Sequence, residues 1–351
     1  MRDPGSPRLF DRIRAFGLFL IAIVYYLLAE QVAGFAAGGL ARGDWFEPIY
    51  RGILLFLLLL GYGVMGYVFQ RQSHPLTAMG LLRRPTALRE FGLGVALGWG
   101  MMVMCVLSIA IGGHMRLTFW TGARQFELLA LDLIVLGLAA LLEEVAFRGY
   151  PFQRLIEAIG PAFATLLMAI LFALRHLQNP DATPASTLFT VFAGWLFAVA
   201  YLRTRALWLP WGLHFAWNAA MGVLFGLPIS GLRAFSPVIE ANTRGPFWIT
   251  GGGYGPEGSL VAVIVILVGI FVLFKITREY AWNYAQPVII AGGIAVDIDA
   301  AARRQHDAAM ESPAAPAPPQ FVQIIAPVGS VPAAGGPPIG VRLPSDDELQ
   351  S

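Results

Sequence analysis

Apolar runs long enough to cross a bilayer recur along this chain, and they restrict the fold more than any other feature. A bilayer core of about 30 Å needs roughly 20 helical residues, because backbone groups cannot be left unpaired in lipid. Eight runs are candidates: Ala15–Gly38, Ile49–Phe69, Phe91–Ile111, Leu128–Tyr150, Pro161–Leu177, Thr187–Tyr201, Leu207–Leu227 and Ser259–Ile276. The sixth is the weakest by length. With 57% hydrophobic and 13% charged residues, the composition is far from that of a soluble domain, in which charge makes up about a quarter. The expected fold class is all-α, a polytopic membrane protein of about eight transmembrane helices.

Arginine placement orients the spans. Arg2, Arg8, Arg12 and Arg14 precede the first, Arg71, Arg83, Arg84 and Arg89 follow the second, and Arg154, Arg203, Arg205, Lys275 and Arg278 follow the fourth, sixth and eighth. By the positive-inside rule these loops share the cytoplasmic side, with both termini there. The Arg-rich start resembles a signal peptide, but the apolar run continues too far, so it reads as a retained first helix. Residues 1–284 are expected to form a transmembrane domain with its motif core at 128–227. Residues 285–351, rich in Pro, Ala and Gly, read as a disordered cytoplasmic tail. Cys105 is the only cysteine, which excludes an intrachain disulfide and a multi-cysteine metal site. No Walker loop, dinucleotide fingerprint or basic aromatic patch appears, so nucleotide and nucleic-acid partners are not expected.

The chemistry concentrates where polar residues interrupt apolar spans, since charge inside a membrane is costly and functional by default. Glu144 and Arg148 lie four apart in span four, Phe172 and His176 in span five, and His214 and Asn218 in span seven. Residues four apart share a helix face, so each pair can point at one centre. Glu143 is turned about 100° from Glu144. Glu144 and Arg148 can neutralise each other, leaving Glu143 as a desolvated general base. His176 could hold or polarise the same water, and His214 with Asn218 could donate to an oxyanion. Depth is the difficulty. With span four helical to Arg154, Glu143 lies roughly 16 Å from its cytoplasmic end, His214 roughly 10 Å and His176 roughly 22 Å from theirs, so they converge only through tilt or offset.

These pairs, Glu143-Glu144-x-x-x-Arg148, Phe172-x-x-x-His176 and His214-x-x-x-Asn218, resemble the three ordered motifs of the CAAX prenyl endopeptidase and bacteriocin-processing (CPBP, or Abi) intramembrane proteases. The resemblance covers about Leu128 to Leu227. It implies an endopeptidase working in a cavity within the bilayer. Glu143 and His176 would activate water, His214 and Asn218 would stabilise the oxyanion, and Glu144, Arg148 and Phe172 would support them. The family has been described both as metal-dependent and as using a glutamate without metal. Glu143, His176 and His214 could offer zinc a carboxylate and two imidazoles. They lack the HExxH spacing on one helix, so metal-free water activation is the expectation. The implied partners are the lipid bilayer and a peptide or protein substrate, and the composition suggests a bacterial inner membrane.

Other readings use the same residues. A lone histidine in a membrane helix is often an interhelical hydrogen-bonding group, and Glu143, Glu144 and the histidines could form the proton relay of a transporter. A catalytically silent immunity or scaffold protein would also keep the fold. Glu30, Asp132 and Arg175 are polar within spans but unassigned, with Arg175 expected to snorkel to the outer interface. His74, His114 and His306 read as solvated loop or tail residues.

Overall fold

A computed structural model describes residues 9–81, 85–235 and 237–278, so the tail expected at 285–351 lies outside the described residues. The chain runs through α1 (Leu9–Leu40), α2 (Phe46–Gln70), the short α3 (Pro75–Ala78), α4 (Ala87–Gly112), β1 (His114–Phe119), α5 (Ala123–Arg148), α6 (Tyr150–Ile159), α7 (Pro161–Arg175), α8 (Pro184–Thr204), α9 (Trp208–Ala219), β2 (Ile239–Arg244), α10 (Phe247–Thr250) and α11 (Leu260–Ile276). Local chemistry sets several of these starts. Thr183 caps α8 in a reciprocal box with Ser186, followed by Pro184 in the first turn. Ser259 caps α11 by accepting from the amide of Ala262 at 3.1 Å.

Four helical stretches are long and apolar enough to span a membrane: Leu9–Leu40, Gly43–Gln70, Ala87–Gly112 and Pro184–Thr204. Pro161–Arg175 and Leu260–Ile276 are apolar but shorter. The expected sixth span, weakest in the sequence, is therefore among the four, because its helix begins at Pro184 and runs to Thr204. Large apolar side chains such as Phe35, Phe56 and Phe271 stand exposed, as a lipid-facing surface requires.

Three expectations change. Span four does not continue to Tyr150 or Arg154: α5 stops at Arg148, and Gly149 turns the chain into the separate α6. Pro151 explains the break, since its ring would strike the carbonyl of Phe147 in a continuous helix and its nitrogen has no hydrogen to donate. The amphipathic α6 then buries Phe152, Leu155 and Ala158 and packs along α1. Span seven is also divided, with α9 ending at Ala219 and a π-helical turn covering Ala220–Leu224. Finally, the fold is not wholly helical. β1 and β2 pair antiparallel, from His114 opposite Arg244 to Phe119 opposite Ile239. The connection expected to be a long outer loop is thus partly built into the body, with Tyr254 and Pro256 buried.

The tightest helix pair is α4 against α9. Gly94 and Gly98, one turn apart, face the backbone of Leu209 and Leu213, and Gly212 faces the carbonyl of Phe91. A Cβ at any of the three would collide with backbone that cannot rotate away. This small-residue contact fixes the height of α9, which carries His214 and Asn218. Gly98→Val should therefore destabilise the protein by about 1–3 kcal/mol, measurable as earlier thermal unfolding in detergent. Gly100→Val, at a glycine with open space around it, should not.

Candidate active site

The site is built at the C-terminal end of α5. Carboxylates there oppose the helix dipole, and Arg148 in the last turn offsets them. Glu144 and Arg148 are 0% and 1% exposed, with Arg148 Nη1 3.1 Å from Glu144 Oε1. Arg148 Nη2 also donates to the carbonyl of Gly194 on α8 at 3.0 Å. Its guanidinium carbon lies 4.7 Å from the Phe172 ring centre and 5.2 Å from that of Phe197. The planar cation therefore joins α5 to α7 and α8 while meeting a carboxylate, a carbonyl and two ring faces.

Glu144 has a second partner. Its Oε1 lies 2.8 Å from His214 Nδ1, and since a carboxylate can only accept, that nitrogen carries the hydrogen. The imidazole is stacked on Phe197, with centroids 4.4 Å apart and an 18° angle between planes. Its other nitrogen, Nε2, lies 3.7 Å from Glu143 Oε2. The two adjacent carboxylates thus face different surroundings, as their angular separation on the helix predicts. Glu144 is sealed in, whereas the Glu143 side chain is 27% exposed and its Oε2 has no hydrogen-bond donor among the described residues.

His176 caps α7, and its Nδ1 lies 2.8 Å from the carbonyl of Phe172, so Nδ1 donates and Nε2 remains free. Phe172 sits edge-on to Phe147 at 5.3 Å and to His214 at 6.1 Å, forming an apolar wedge between the three motif helices. Glu143, His176, His214 and Asn218 all line one cavity of about 240 Å³. Because α5 ends at Arg148, Glu143 lies about 7.5 Å from the helix end rather than roughly 16 Å, close to the roughly 9 Å of His214 along α9, whereas His176 reaches the cavity from the far end of α7. Asp132 is outside this cavity, and His114 begins β1.

Other groups on the wall carried weaker sequence signals. Arg175, half exposed, has a partner on α1: its Nη2 donates to Glu30 Oε1 at 2.7 Å, and Tyr26 donates to the same oxygen at 2.8 Å. Two isolated opposite charges in separate apolar spans could have announced this pair. Arg51 meets Glu47 at 3.0 Å. Phe197, Trp217, Ser230 and Glu257 have no motif spacing, and only the fold brings them to the site.

The donor types of Glu143, His176 and His214 suit zinc, and each histidine has its Nδ1 fixed by an acceptor, as metal-binding imidazoles commonly do. Their spacing does not suit it. Among the described residues no group of three His, Cys, Asp or Glu is close enough to hold a metal ion.

Fold and site together define an integral membrane protein whose apolar helices enclose a cavity lined by carboxylates and histidines. Residues 125–220, from the start of α5 to just beyond α9, match the family model of type II CAAX prenyl endopeptidase Rce1-like proteins. All three motifs fall within this segment, and the matched family is one of proteases. No curated protein and no solved structure matches the chain.

Removing Arg148 would leave the buried Glu144 without its cation. Arg148→Ala is expected to cost about 3–5 kcal/mol, read as lost thermal stability of the detergent-solubilised protein. Arg148→Lys should restore only part of this, because an ammonium cannot reproduce both the forked hydrogen bonding and the ring stacking.

Proposed function

We propose that the chain is an intramembrane endopeptidase of the CPBP type, acting on a membrane-embedded or prenylated peptide. The observation that carries this reading is Glu143: a partly open carboxylate whose Oε2 has no donor among the described residues, in one cavity with His176, His214 and Asn218. Glu143 takes a proton from water. His176, with Nδ1 held by the Phe172 carbonyl, presents Nε2 as an acceptor for the water's second hydrogen. The hydroxide attacks the scissile carbonyl, and the oxyanion is stabilised by the Asn218 amide and His214.

The contact with Glu144 adds a condition to the role of His214. Neutral His214 has its hydrogen on Nδ1, so Nε2 can only accept. It donates to an oxyanion as the imidazolium, a cation supported by the Glu144 carboxylate, since Glu143 holds the proton from water at that stage. The proton acquired by Glu143 then passes to the leaving amine. Glu144 and Arg148 are positioning residues, as is Phe172.

The distribution of arginines supports a bacterial inner membrane setting with the N-terminus cytoplasmic. The implied partners are lipid and a peptide substrate.

Purified protein in liposomes is expected to cleave an internally quenched prenylated peptide, and Glu143→Ala to reduce turnover to background with unfolding temperature preserved. Unchanged turnover in that variant would overturn the assignment. Glu144→Gln should lower kcat by about a hundredfold with little change in KM, since it acts through the charge state of His214. Dialysis against a chelator should leave turnover intact. A loss restored by zinc would instead assign the water to a metal.

A further inference from the structure

The carboxylates around the cavity are not treated alike. Glu30 is matched by Arg175 at 2.7 Å and Glu47 by Arg51 at 3.0 Å, so both cations on the wall are already engaged. Glu257 also lines the cavity, on the segment between α10 and α11. It is held only by neutral donors. Trp217 Nε1 donates to Oε1 at 2.8 Å, while the Ser230 amide and hydroxyl donate to Oε2 at 2.8 Å and 2.5 Å. Among the described residues no basic side chain pairs with it. The Glu257 carboxylate thus accepts three hydrogen bonds, donates none, and keeps its charge uncompensated.

We infer that Glu257 is a specificity residue, forming a subsite for a basic side chain, lysine or arginine, of the bound peptide. A fixed carboxylate on a cavity wall whose cations are already paired gains most from an ion pair that a substrate brings with it. Its neutral donors orient the group without satisfying its charge. The location suits a subsite near the reacting bond: Glu257 lines the same cavity of about 240 Å³ as Glu143 and His214, and its partner Trp217 lies about one turn from His214 on α9. An extended peptide advances about 3.3 Å per residue, so a cavity of that size holds only the few residues around the scissile bond. This inference rests on the endopeptidase reading for its register. The charge complementarity rests on Glu257 alone.

The test uses full-length protein in liposomes and quenched prenylated peptides bearing lysine, its uncharged isostere norleucine, or aspartate at each of the two positions on either side of the cleaved bond. At one position lysine should be preferred over norleucine by about tenfold or more in kcat/KM, with aspartate poorest. In Glu257→Gln, which keeps the side-chain shape, the lysine-to-norleucine ratio should fall to about one, with thermal unfolding reporting whether the variant is folded. A wild-type protein indifferent to lysine at all positions, or a Gln variant that keeps the preference, overturns the subsite. If the variant does not fold, the order of lysine, norleucine and aspartate in the wild type decides. If no peptide is cleaved, the endopeptidase reading fails, and fluorescence anisotropy of the same peptides still decides the subsite: lysine-dependent binding sustains it and indifferent binding overturns it.

Discussion

The site depends on one buried carboxylate. Glu144 carries an arginine on one side and an imidazole on the other, with contacts of 3.1 Å and 2.8 Å to the same oxygen. Alone in an apolar interior its charge would be prohibitive. With Arg148 it forms a pair whose cation also reaches the Gly194 carbonyl, and with His214 it ties α5 to α9. Helices α5, α8 and α9 are therefore held by a continuous polar chain, and α7 joins it through the Phe172 ring, in a core otherwise filled by Phe147 and Phe197. Buried ion pairs are poor sources of net stability, but they strongly disfavour arrangements that would separate them. Here the arrangement they select orients the histidine beside Glu143.

Much of this was legible in the sequence because membrane burial makes polar residues conspicuous. The four-residue spacings of Glu144 with Arg148 and of His214 with Asn218 identify helix faces, and the face separation of Glu143 from Glu144 follows from helix geometry alone. The convergence was not legible. Pro151 ends α5 early and brings Glu143 to the depth of His214, while His176 enters from the far end of α7, which follows the separate α6. Hydropathy counting passes through such a break because Tyr150, Pro151 and Phe152 remain apolar. The same averaging hid the π-helical turn after α9 and left the eight expected spans as four long apolar helices among shorter and more polar ones. The β1–β2 pair was invisible for another reason: its strands are six residues each and come from distant connections, with no turn signal joining them.

The residues that sequence reasoning left aside share a property. Arg175 and Glu30 are meaningful only as a pair, 145 residues apart, and Glu257 only through Trp217 and Ser230. Motif spacing reports neighbours on one helix, whereas the cavity wall is assembled between helices. The matched segment, 125–220, contains all three motifs. The rest of the cavity wall comes partly from the same segment and partly from α1, α2 and the chain between α9 and α11.

The pairing of His114 with Arg244 also has a consequence for how the protein is made. β1 is synthesised before any motif helix and β2 after all of them, so the strand pair cannot close until the polar chain has every one of its members. Contacts of such long sequence separation form late, because the loop entropy must be met before the contact repays it. A nascent chain therefore has its ion pair and histidines before the strands can pair, and the strand pairing, like the packing of α11 that follows it in the chain, is a late closure step.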